Sequence, residues 1–144
     1  MEEKTLASAV ITVQPDSELY YHRGGRAFDQ GKIEQAKIYF ERGASLAESD
    51  EEWAFGMCQV ALLHQATGMY ESSMELFDEL IEYQSTLFPE MFYFQANNYA
   101  FLEEFERALS LARYYLTISP DGEFVNEVSD FVKMVEAEAL HLPE

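Results

Sequence analysis

Apolar residues recur at spacings of three and four along almost the whole chain. The series runs through Tyr20, Ala27 and Phe28, then Ile33, Ala36, Phe40, Ala44 and Ala47, and onward through Val60, Leu63, Met74, Phe77, Leu80 and Ile81. It continues through Phe92, Tyr99, Leu102, Leu109 and Leu116, and closes with Phe124, Val128, Phe131, Val132 and Val135. This is the period of an amphipathic helix, not of a strand. The pattern predicts seven helices, over about 17–30, 33–47, 52–66, 70–84, 89–102, 105–118 and 122–140. Strand-like alternation occurs only at Ala9–Val13, inside an extended lead-in at 1–16. The punctuation agrees. Asp16 or Ser17 can cap the first helix, Gly31 and Gly68 suit tight exits, and Pro89 suits a first helical turn. The fold class is all-α, with one domain at 17–140 and a short tail at 141–144.

The helices repeat in pairs. Tyr20, Gly24, Ala27, Gly31, Ile33, Ala36 and Phe40 hold the same relative places as Met57, Ala61, His64, Gly68, Tyr70, Ser73 and Phe77. A third set follows in Phe92, Ala96, Tyr99, Glu103, Phe105, Ala108 and Ala112. Such a period marks a stack of helical hairpins, each burying its apolar face against the next. Small residues at Gly24, Ala61 and Ala96, faced by Ala36, Ser73 and Ala108, let paired helices approach closely.

These residues resemble the tetratricopeptide repeat, whose signature runs Gly, Tyr, then G-x-Y-x₂-A-x₃-F and a closing Pro. The matching units are about 17–50, 54–87 and 89–122, and the stretch 122–140 resembles a capping helix. The third unit departs from the pattern at Glu103, where Gly is usual, and at Ala112, where an aromatic is usual. The resemblance implies a right-handed α-α superhelix of three hairpins, with the first helix of each lining a concave groove. The chain is also similar to the front part of longer bacterial repeat proteins of unassigned role, so it reads as a possible fragment.

Composition narrows the uses of such a fold. Aromatics make up 15% of the 144 residues, and nine basic against 27 acidic side chains leave a net charge of −18. That balance argues against nucleic acid, whose phosphates require clustered Lys and Arg. No apolar run is long enough to span a membrane. One cysteine, Cys58, excludes an internal disulfide framework, and Glu2 and Glu3 stand where a signal peptide wants positive charge. A cytoplasmic protein is expected.

Catalytic chemistry is sparse. His22, His64 and His141 lie far apart, and His64 sits on a packing offset, so it reads as a core or boundary histidine. Cys58 lies among apolar neighbours and reads as a small hydrophobe. Glu75, Glu79 and Glu82 form a solvated helix face. No enzyme, metal or cofactor is expected.

Function therefore belongs to the groove. Its lining, by the repeat register, is Tyr21 and Phe28 in the first unit; Phe55, Cys58, Leu62 and Gln65 in the second; and Tyr93, Asn97 and Phe101 in the third. Members of the family that clamp a chaperone's terminal carboxylate use Lys, Asn and Arg, whereas the corresponding places here hold Tyr21, Gly25, Gln59, Glu90 and Phe94, which would repel or ignore it. Residues 51–144 carry three basic and 18 acidic side chains, so a protein or peptide segment with apolar anchors and basic flanks is the expected partner. The resemblance admits an adaptor, or a chaperone like the small three-repeat chaperones of bacterial secretion systems. The same face could instead be covered by residues 5–13 of the lead-in, or by a second copy in a homodimer.

Overall fold

The structure, a computed structural model, describes residues 14–84 and 88–141. Among these residues there are seven helices and no strand: α1 (Ser17–Asp29), α2 (Ile33–Ser45), α3 (Asp50–Ala66), α4 (Tyr70–Gln84), α5 (Met91–Phe101), α6 (Phe105–Ile118) and α7 (Val125–Leu140). The strand-like Ala9–Val13 and the rest of the lead-in before Gln14 lie outside the described residues. Each helix packs on the next, and α3 also adjoins α5. Helices α1, α3, α5 and α7 thus form one layer, and α2, α4 and α6 the other.

Helix ends follow local chemistry. Asp16 caps α1, its carboxylate accepting from the Leu19 amide at 2.8 Å. Helix α3 starts at Asp50, ahead of the expected 52, because Ser49 caps it and Glu52 reaches back to the residue before the cap. The Glu52 amide donates to Ser49 Oγ at 3.1 Å, and the Glu52 carboxylate accepts from the Glu48 amide at 2.8 Å. Pro89 lies in a tight turn before α5, where the Met91 and Phe92 amides donate only three residues back, to Phe88 and Pro89 at 3.0 and 3.1 Å. The seventh helix begins later than expected, at Val125, because Gly122 must pass against Tyr115. A Cβ at Gly122 would fall within 2.3 Å of the Tyr115 hydroxyl.

All three hairpins turn in the same way. The amides of Lys32, Met69 and Glu104 donate to Ala27, His64 and Tyr99 at 2.8 Å each, six residues spanned, and those of Gly31, Gly68 and Glu103 close the inner bond. This closure needs a left-handed residue at its corner. Gly31 has φ +77° and Gly68 +82°, while the third corner forces Glu103 to +61°.

The core forms three clusters, each joining a hairpin to the helix that follows it. Ala27, Ala36 and Phe40 join Val60 and Leu63; Ala54, Cys58 and Ala61 join Phe77, Leu80 and Met91; Ala96, Ala108 and Tyr115 join Val128, Phe131 and Val135. Gly24 is needed where it stands, since a Cβ there would lie 2.9 Å from the Phe40 ring. Each well-buried large side chain contributes roughly 1.5–3 kcal/mol. Between the second and third hairpins the contact is also polar. Gln65 donates to Phe94 O (2.9 Å) and Asn98 Oδ1 (3.0 Å), and Asn98 donates to Ser73 Oγ and Gln95 Oε1 (both 2.9 Å). Gln95 in turn donates to Met74 O at 3.0 Å and Asp78 Oδ1 at 2.8 Å. His64 is half-buried on its packing offset but is not the satisfied histidine that offset implies: its Nδ1 has no hydrogen-bond partner among the described residues, and burial, aided by Lys37, holds its pKa below the usual imidazole value.

Candidate functional site

The layer formed by α1, α3 and α5 carries the nine residues assigned to the groove, and the structure divides seven of them into three groups and leaves Phe28 and Phe101 apart. Tyr21 and Phe55 come together, with ring centroids 5.2 Å apart. The Tyr21 ring is held between two helices by two glycines: Cβ atoms at Gly43 and Gly56 would fall 2.4 and 2.7 Å from it. Its hydroxyl donates to the Glu52 carbonyl at 2.5 Å, and burial, with the Glu52 charge, pushes its pKa up to about 12. Tyr21 is thus a fixed wall.

That wall borders a hollow of about 470 Å³ between the N-terminal ends of α1 and α3, lined by Glu18, Tyr21, Ser49, Glu51, Glu52, Phe55 and Phe88. Phe55 is 39% exposed. Phe88, Glu18, Glu51 and Glu52 are absent from the sequence-based set. The Ser49-x-x-Glu52 capping signature was readable, but Phe88 joins the hollow through the fold of the chain, which no local spacing encodes.

The second group turns inward. Cys58, expected in the groove, is 5% exposed and packs with Ala54, Ala61, Phe77, Leu80 and Met91. The correction has a simple cause: its helix face meets α4 and the start of α5. Burial pushes the thiol up to about 12. Leu62 is half-buried against the same cluster, and the Gln65 amide is committed to Phe94 and Asn98.

The third group faces α7. Tyr93 stacks edge-on against Phe131 at 5.5 Å and lies 6.0 Å from Phe124, so much of its ring joins α5 to the last helix. Burial raises its pKa, opposed by Asn97. The Asn97 amide donates to Tyr93 O of its own helix at 3.1 Å, leaving its oxygen for other uses. Phe28 (49%) and Phe101 (56%) are the most exposed of the set, and Phe101 stacks on Tyr70 at 4.7 Å.

Among the described residues there is no group of three or more His, Cys, Asp or Glu able to hold a metal, and no helix long and apolar enough to cross a membrane.

Comparison with known proteins matches this architecture. Residues 17–50 match the family model described as tetratricopeptide repeat. The chain is 30% identical over 135 residues to the TPR repeat-containing protein YvcD of Bacillus subtilis (strain 168), covering 94% of this chain but 27% of the relative. It therefore spans about a quarter of that relative's length. Among solved structures it is similar to the Yersinia enterocolitica type III secretion translocator chaperone SycD, with a TM-score of 0.70 at 18% identity over 85% of this chain and 84% of that one. PcrH in complex with the chaperone binding region of PopD gives 0.70 at 17% over 85% and 92%. The second TPR domain of human RPAP3, in complex with an HSP70 peptide, gives 0.65 at 16% over 83% and 98%. Residues 17–50 are thus a tetratricopeptide repeat, and by its repeated residues, its three alike hairpin turns and these likenesses the chain has the fold of the tetratricopeptide-repeat proteins, three hairpins followed by a further helix.

Proposed function

We propose that this chain is a protein-interaction scaffold that holds a partner segment with apolar anchors and basic flanks along the α1–α3–α5 layer. The observation that carries the reading is the exposure of Phe28, Phe55 and Phe101 on the first helices of the three hairpins, at 49%, 39% and 56%. Large aromatic groups left accessible on a folded surface are the usual anchors of binding energy. The −18 charge adds attraction for a basic segment, chiefly by speeding encounter, and that part weakens with salt. Peptide-bound RPAP3 and PcrH supply a precedent for the fold.

A second reading, a chaperone that holds a secreted substrate, is favoured by the overlap with SycD and PcrH at a TM-score of 0.70. Both readings use the same face, and they separate by the state of the partner: an adaptor binds a folded protein's tail, a chaperone an otherwise unfolded chain.

The test is capture of partners from a lysate by the wild-type chain and by a Phe28→Ser/Phe101→Ser variant, at low and high salt. Capture that the variant loses and that high salt weakens supports the groove. Equal capture by both proteins moves the interaction to the outer layer.

A further inference from the structure

The hollow between α1 and α3 combines two properties that seldom meet in a merely solvated face. Its walls are aromatic, from Tyr21, Phe55 and Phe88, and its rim is anionic, from Glu18, Glu51 and Glu52. No basic residue lines it among the described residues. The N-termini of α1 and α3 point into this region and each contributes about half a positive charge, too little to cancel three carboxylates. Glu52 already spends one oxygen on the Glu48 amide, so Glu18 and Glu51 carry most of the available acceptor capacity. A ring face attracts a cation through its quadrupole, and does so more strongly in a partly dry recess than on an open surface.

Resting on the groove reading above, we propose that this hollow is a subsite for one arginine side chain of the partner segment. Arginine fits better than lysine on chemical grounds. Its planar guanidinium lies flat on Phe55 or Phe88 while its edge donates to two carboxylates in different directions, and it is the more weakly hydrated cation. The pinned Tyr21 ring sets the depth of the recess without needing to move. An aliphatic anchor would fill the aromatic walls but leave the carboxylates without a donor, and an anionic one would be repelled.

The experiment is an NMR titration of the full 144-residue chain with acetyl-arginine amide, acetyl-lysine amide and the neutral acetyl-norleucine amide. Saturable shifts confined to residues around Glu18, Tyr21, Glu51, Phe55 and Phe88, strongest with arginine and weakened by salt, are expected. Phe55→Ala and the Glu18→Gln/Glu51→Gln pair should each weaken arginine binding by about tenfold while the helical circular dichroism is kept. Equal shifts from the norleucine probe would overturn the assignment and make the recess a plain apolar slot. Absence of shifts with the arginine probe would overturn it outright. The groove reading fails separately: arginine shifts at the hollow, with lysate capture unaffected by Phe28→Ser/Phe101→Ser, would leave the subsite standing without the groove.

Discussion

Replacing Glu103 by glycine should make the protein more stable. The third hairpin closes through the same pair of hydrogen bonds as the first two, yet its corner residue has a Cβ and sits at φ +61°. Holding an ordinary residue in the left-handed region costs about 1–2 kcal/mol. Glycine removes that cost but gives the unfolded chain more freedom, worth about 0.5–1 kcal/mol in the other direction. The balance is a gain of about 0.5–1 kcal/mol, or roughly 2–4 °C in Tm for a domain of this size. Glu103 is exposed, and it takes no part in the ion pairs seen at Lys37–Glu34, Arg107–Glu104 and Arg113–Glu136, so no compensating contact is lost. The mirror experiment is Gly31→Ala or Gly68→Ala. A Cβ at either position meets nothing within 4 Å, so any loss there comes from backbone strain alone, and a loss of about 1 kcal/mol is expected. Urea denaturation of the three variants checks both signs. Glu103→Gly leaving the midpoint unchanged or lower, while Gly31→Ala lowers it, would refute the view that the three corners are energetically equivalent.

Two further outcomes follow from the interior. Asn98→Ala should cost about 2–3 kcal/mol in denaturant titration, because it removes the donor that serves the buried Ser73 hydroxyl and Gln95 Oε1 and one of the two acceptors of the Gln65 amide; a loss no larger than that of an exposed alanine substitution would show that water replaces the amide freely. Cys58, its thiol raised to about 12 by burial, should resist a thiol reagent at pH 8 until the chain unfolds, and immediate stoichiometric labelling of the native protein would contradict that burial. The same shift has a stability consequence. The folded thiol keeps its proton where the unfolded one, with a value near 9.0, has lost it, so stability is full below pH 9 and falls as pH rises toward 12. A Cys58→Ala chain should show a shallower alkaline decline.

The hairpins were legible in the sequence because their determinants are local or strictly periodic. Gly31 and Gly68 mark corners, Ala36, Ser73 and Ala108 mark close approaches, and the aberrant Glu103 falls at the one left-handed non-glycine residue among the described positions. The groove was less legible, because register says which side of a helix faces the hollow but not how high its neighbours stand. Tyr21 becomes a wall since Gly43 and Gly56 make room for its ring, and Cys58 is covered by α4 and α5. Two mid-helix glycines, each costing about 0.5–1 kcal/mol relative to alanine, were the readable sign that a bulky group from elsewhere needed their space. Tyr93 turns toward Phe124 and Phe131 for a reason no single repeat contains: the extra helix α7 stacks beside it.

The two joints of the array are built from different materials. Between the second and third hairpins, Gln65, Asn98 and Gln95 impose directional bonds that tolerate little displacement. Between the first and second, Val60 and Leu63 press against the Phe40 cluster, and apart from the capping bonds of Ser49 and Glu52 in the connecting turn, the one side-chain hydrogen bond crossing it among the described residues is that of Tyr21. Contact of that apolar kind is non-directional, so the surfaces can slide by a fraction of an ångström without losing it. The first hairpin is therefore the compliant arm of a stiff frame. The recess between α1 and α3 straddles the compliant joint, and a guest lodged there would act as a wedge, setting the angle between the first hairpin and the rest of the molecule.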